Sequence, residues 1–151
     1  MEGPEKRITD FIREHHILTL AVTRDNEPWC ATCYYAWMND GNRFIITSDP
    51  DTRHIRDVTE GGNYQVAGAI ALETRIVGKI RGIQFSGVIK RLEGEELRQA
   101  RKAYLRRFPV ARMMPGLHLW SLTPGFIKMT DNRLGFGKKL AWKAEISPKP
   151  A

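Results

Sequence analysis

The sequence predicts an α+β domain centred on a six-stranded antiparallel β-barrel with flanking helices. Short runs rich in β-branched and aromatic residues follow one another through tight turns. Few helical stretches separate them, which argues against a parallel, doubly wound sheet. The longest run, "IVGKIRGIQFSGVIKRL", carries Gly78, Gly82 and Gly87 at intervals that let a strand bend as a barrel wall must. Six or more such runs suit a small closed barrel.

The elements follow in order. Pro4 to about His15 reads as a helix, with Pro4 suited to the first turn and Ile8, Phe11 and Ile12 on one face. "HILTLAVT" is a strand, "RDNEP" a turn, and "WCATCYYAW" a second strand. "MNDGNR", with Asp40-Gly41 at its centre, is a hairpin turn leading to "FIIT". "TRHIRDVTE" is a short helix ended by Gly61-Gly62, and "YQVAGAIAL" is the fourth strand. After the glycine-spaced fifth strand, "GEELRQARKAYLRRF" is an amphipathic helix with Leu97, Ala100, Tyr104, Leu105 and Phe108 inward. "LHLWSLT", "GFIKMTD" and "RLGFGKKLAW" complete the strands, and residues 146–151 should fray.

One domain spanning 1–151 is expected from the chain's length and its 42% hydrophobic content. No window approaches the ~18 apolar residues of a membrane span, and the charged start has no signal-peptide core, so a cytoplasmic protein is expected. Two cysteines make no disulfide framework, which suits a reducing compartment. The net charge of +7 favours anionic partners without choosing between a phosphorylated small molecule and a nucleic acid.

The stretch "TSDPDTRH", at the junction of the third strand and the second helix, admits two readings. Asp49 or Asp51 caps the helix, with Pro50 near its first turn. Alternatively, the helix start seats a phosphate: its free N–H groups and dipole suit an anion, Thr47, Ser48 and Thr52 add hydroxyls, and Arg53 can grip two oxygens. The residues alone leave both open.

The chain also resembles the FMN-binding split-barrel superfamily, whose best-known member is pyridoxamine 5′-phosphate oxidase. The helix–strand–hairpin order from Pro4 to Leu92 carries the likeness. The strings "TRH", "RLEGEE", "ARKAY", "RRFPVARM" and "TDNRLGFGKK" are similar to the bacterial YhbP group within it. The resemblance implies a split barrel, an FMN cofactor and a homodimer with the flavin at the interface. It places the FMN phosphate at Ile46, Thr47, Thr52, Arg53 and His54, beside the Ser48 hydroxyl, and so favours the phosphate reading. It runs the flavin ring along Trp29, Cys30, Ala31 and Thr32, largely through backbone groups. Cys30 and Tyr35 stand where the family has Arg and Lys, His54 replaces a lysine, and Gly82 takes the place of a glutamine. Gln84, two residues on and on the same strand face, is the candidate substitute. The tail from Gly125 has the YhbP form without the oxidase's substrate-binding Arg and His, so a different substrate is expected.

Other signals carry less. Cys30 and Cys33 have dithiol spacing, but three residues along a strand puts them on opposite faces. The four histidines show no metal-ligand spacing, so no metal is expected. Arg98, Arg101, Lys102, Arg106, Arg107 and Arg112 form a basic cluster that reads as a solvated helix face rather than a nucleic-acid site, offset by Glu95 and Glu96. "LGFGKK" lacks the P-loop pattern and reads equally as a turn or as an anion-facing rim of Asn132, Lys138 and Lys139. The expected function is an FMN-dependent oxidoreductase acting on a small molecule, with the chemistry supplied by the cofactor. A non-catalytic flavin- or haem-binding protein and a basic nucleic-acid-binding module are the alternatives.

Overall fold

The computed structural model describes residues 2–145 and 148–150. Three helices, α1 (Lys6–Glu14), α2 (Arg53–Gly61) and α3 (Gly94–Arg107), flank seven strands. The strands are β1 (Ile17–Arg24), β2 (Glu27–Met38), β3 (Arg43–Thr47), β4 (Gln65–Ala71), β5 (Arg81–Arg91), β6 (Leu119–Asp131) and β7 (Lys139–Lys143). They form one antiparallel sheet in the order β3-β2-β1-β4-β5-β6-β7, and β3 also pairs with β6. That extra pairing closes β1–β6 into the expected six-stranded barrel. The seventh strand, β7, lies outside the ring on β6.

The turns follow local backbone chemistry. Asp25 and Asn26, between β1 and β2, both take positive φ (49° and 64°), as a two-residue hairpin matched to strand twist requires. Gly62 adopts φ 74° and donates its N–H to Val58 O, ending α2 where the paired glycines predicted.

Two expectations need correction. β6 is a single strand through Pro124-Gly125, not two. Proline has no N–H for the ladder, and here it lies opposite Gly87 where the β5–β6 register shifts. A Cβ on Gly87 would come within 2.2 Å of Thr123 O, so the bulge requires glycine. β5 also starts later than predicted, at Arg81, because Val77–Lys79 closes a 3₁₀ turn with Ile80 N–H donating to Val77 O.

The barrel interior holds Leu18, Leu20, Tyr35, Phe44, Phe85 and Met129 among others, and α1 and α2 press Ile8, Phe11, Ile12, Ile55 and Val58 into the same core. A second cluster lies under α3, where Ala100, Tyr104 and Leu105 meet Ala36, Ile45 and Leu119. Leu97 and Phe108 pack against it partly buried, in keeping with the predicted face. Among the described residues, no helix is long and apolar enough to cross a membrane. Residues 146, 147 and 151 of the expected frayed tail lie outside those described, while Pro148 stands against Gly125.

Candidate functional site

β3 ends at Thr47, and the next residue is held from two sides. Ser48 N–H donates to His118 O (3.2 Å), and the buried Trp120 indole donates to Ser48 O (3.0 Å). The chain then turns: Thr52 donates both its N–H (3.2 Å) and its hydroxyl (2.8 Å) to Asp49 O, and α2 begins at Arg53. Thr52 is therefore the N-cap, and its side chain makes no bond to the helix amides. Neither aspartate caps the helix as the alternative reading required, because the turn spends Thr52 on Asp49 and leaves the first-turn N–H groups open.

Three side chains gather at that opening. His54 Nε2 lies 2.8 Å from Ser48 Oγ and 3.4 Å from Thr52 Oγ1. Burial pushes the His54 pKa below its ordinary value, with the Asp57 carboxylate pulling the other way. Arg53 projects from the same turn. Its guanidinium lies 3.9 Å over the Trp29 ring, and its Nε is 3.5 Å from Asp57 Oδ2. A cleft of about 360 Å³ opens beside it, lined by Arg24, Asp51, Arg53, Arg56 and Asp57. The two segments named from the sequence, β2 at Trp29 and the start of α2, thus meet at one stacked pair. Nothing in the spacing of residues 29 and 53 signals that contact, nor the part played by Trp120, Arg24 and Asp57.

The other candidates are placed more variously. Ile46 is fully buried in the barrel, and Thr47 is partly buried beside it. Trp29 is half-exposed, Ala31 packs against the core, and Cys30 and Thr32 point outward. Cys30 is exposed and Cys33 buried, the opposite faces expected of them; burial raises the Cys33 thiol pKa to about 11, against the lowering effect of Ser48. Gln84 sits on the outer face in one cross-strand row with Thr32, Thr19 and Ala69. Three strand spacings separate it from Thr32, roughly 14 Å.

The proposed rim stands apart from the helix start. Thr47 pairs with the first residue of β6, whereas Asn132 follows the last. Asn132 spends its amide internally, donating from Nδ2 to Val77 O (2.9 Å) and accepting at Oδ1 from Gly137 N–H (3.1 Å). Lys138 is exposed on the same turn, and Lys139 is exposed at the start of β7. Buried Asp131 fixes that turn by accepting from Arg133 N–H (3.0 Å), Nε (3.0 Å) and Nη2 (2.8 Å). Arg133 beside it holds the Asp131 carboxyl below the usual carboxylate range. Among the described residues, no group of His, Cys, Asp and Glu could hold a metal ion.

On the outer sheet face, β1, β2, β4 and β5 present a field without charge. Cys30, Ala21, Ala67 and Ser86 form one row, and Thr32, Thr19, Ala69 and Gln84 the next. A groove of about 550 Å³ runs over this face past Thr23, Pro28 and Phe126. Pro28 and Trp29 are consecutive, so groove and cleft lie on opposite faces of one hairpin.

An antiparallel barrel closed by β3–β6 pairing and flanked by helices defines the split-barrel class. Residues 4–131 match the pyridoxamine 5′-phosphate oxidase family, and the chain belongs to that split-barrel superfamily, within its YhbP group. It is 41% identical over 141 residues to the UPF0306 protein of Klebsiella pneumoniae (strain 342), covering 93% of this chain and 94% of the relative. It is 44% identical over 135 residues to the UPF0306 protein YhbP of Escherichia coli O157:H7, covering 89% and 90%. Among solved structures, a heme-binding protein from Mycobacterium smegmatis superposes with a TM-score of 0.72 at 20% identity, over 87% of this chain and 54% of that one.

Proposed function

We propose that this protein binds FMN with the phosphate at the start of α2, and that it is an oxidoreductase acting on a small molecule. The carrying observation is the cluster of Ser48, Thr52 and His54 at the open start of α2, with Arg53 projecting from the same turn onto Trp29. The donor set suits a phosphate monoester: hydroxyls and N–H groups for its oxygens, and a guanidinium for two of them at once. FMN, when bound, supplies hydride and single-electron exchange. The chain's part is to hold and orient. Trp29 braces the Arg53 guanidinium from below, so the fork is presented before any ligand arrives. Asp51 and Asp57 beside Arg53 weaken the attraction for an anion, and they argue for a modest affinity.

The uncharged outer face supports a homodimer as the working assembly, with the flavin ring reaching from the phosphate seat toward β2. The expected outcome of a fluorescence titration is that FMN binds at least tenfold more tightly than riboflavin, which lacks the phosphate. Equal dissociation constants would remove the phosphate seat from the proposal.

A second reading is favoured by one finding, the likeness to a heme-binding protein of M. smegmatis. On that reading the protein binds haem without turnover. The visible spectrum of the purified protein with each cofactor added separates flavin from haem.

A further inference from the structure

The basic cluster of α3 does not behave as one solvated face. Arg98 is paired with Glu95 (2.8 Å), but Arg106 and Arg107 lean toward α1. There they line a cleft of about 290 Å³ with Arg13, Trp37, Ala36 and Ala103. Three arginines thus border one small space, and no acidic residue lines it.

Three acids of the flanking elements are committed elsewhere, and Asp40, beside Asn39, is exposed and does not line the cleft. Asp10 pairs with Lys6 (2.6 Å), Glu14 with Arg81 (3.3 Å), and Glu96 with both Arg43 (3.0 Å) and Lys90 (3.3 Å). Arg13 donates to Asn39 Oδ1 (2.5 Å), which also accepts from the Trp37 indole (3.0 Å), so a neutral amide is its one polar partner among the described residues. Arg107 donates to the His15 carbonyl and lies 5.6 Å over the Tyr35 ring, while its buried Nε has no partner. Burial lowers the Arg107 pKa, with the Tyr35 hydroxyl pulling the other way.

A helix-terminus role accounts for the Arg107 bond to His15 O but not for the other two arginines. Cations gathered in a partly enclosed space repel one another, and that repulsion is relieved when an anion enters. The volume suits a small compound, and three forked donors match the oxygens of a phosphoryl group better than a single carboxylate.

We propose that the cleft between the C-terminal ends of α1 and α3 is a second anion site, which takes a small phosphorylated compound through Arg13, Arg106 and Arg107. It is separate from the seat at α2, shares no residue with it, and does not depend on flavin binding.

Sodium pyrophosphate is the probe, titrated calorimetrically into the Arg53→Ala protein so that the α2 seat is disabled. One equivalent should bind. Adding Arg106→Ala should weaken it roughly tenfold or more, as loss of a charge-assisted contact does, and Arg106→Lys should restore part of the loss. Arg106 is exposed, so its removal should leave the fold intact, and in the otherwise unaltered protein it should leave FMN affinity unchanged. Arg13→Ala provides the second variant, with the same expected loss. Equal pyrophosphate affinity with and without Arg106 overturns the site. So does complete loss of pyrophosphate binding on Arg53→Ala, which would put the anion at α2. Binding of a short single-stranded oligonucleotide in place of pyrophosphate, with a steep salt dependence, would also overturn it in favour of a nucleic-acid surface.

Discussion

At the scale of single residues, Arg53 and His54 answer for the α2 seat. Arg53→Ala should weaken FMN binding roughly ten- to a hundredfold, as loss of a charge-assisted, two-pronged contact does. The ligand-free protein should change little. What it loses is a half-exposed pair with Asp57 and a stack on Trp29, together about 1 kcal/mol or a few degrees in Tm. Asp51→Ala should alter stability by less than about 0.5 kcal/mol, since Asp51 caps nothing. Unchanged FMN affinity in Arg53→Ala would remove the seat. His54 gives a pH signature. Its folded pKa lies below the ordinary value of 6.5, so the unfolded chain takes up the proton first as pH falls. Stability contributed by the neutral imidazole is complete above about 6.5 and is lost as pH drops toward the folded value. Melting temperatures between pH 7.5 and 5.5 should fall more steeply for the parent than for His54→Gln. Identical slopes would show that His54 is not held neutral by burial.

At the scale of elements, the sequence was most legible where local chemistry decides the outcome. Asp25-Asn26, Gly41 and Gly62 announced turns that the backbone does make, and the α3 stripe found its core. It was least legible where a distant strand decides. Pro124-Gly125 looks like a break, and nothing local reveals that Gly87 of β5 lies opposite to absorb it. The Trp29–Arg53 stack, the turning-in of Arg107 from the α3 surface, and the internal use of Asn132 are likewise set by tertiary placement. The bulge is directly testable. Gly87→Ala drives a methyl into backbone atoms, Thr123 O at 2.2 Å and Pro124 Cα at 2.7 Å, neither of which can rotate away. Overpacking of this kind costs about 1–3 kcal/mol, so Tm should fall by roughly 2–12 °C. Gly78→Ala, with nothing within 4 Å of the new methyl and no positive φ, is the control and should melt like the parent. A Gly87→Ala protein as stable as that control would mean that the β5–β6 register is not fixed by this contact.

At the scale of the whole molecule, two rows face outward across four strands, Cys30–Ala21–Ala67–Ser86 and Thr32–Thr19–Ala69–Gln84. In a protein with a net charge of +7 these two four-strand rows carry no charge, and the nearest cations, Lys128 and Lys143, stand at the β6–β7 edge of the face. Small side chains on a sheet let another surface approach closely, and an uncharged patch of this kind suits a two-fold dimer. The assembly should therefore sediment as a dimer of 17.3 kDa chains. Ala69→Arg places a long cation at the middle of the face, between Thr19 and Gln84, and in a two-fold contact the same charge enters from the other copy. The variant should sediment as a monomer with an unchanged far-ultraviolet circular dichroism spectrum, because Ala69 points out of the barrel and its replacement displaces nothing in the core. Its FMN affinity decides whether the flavin needs both copies. On the dimeric reading it falls well below the parent's although Arg53, Ser48 and Trp29 are untouched. A parent protein that is monomeric and still binds FMN tightly would show instead that one barrel suffices, with the uncharged face serving some other contact.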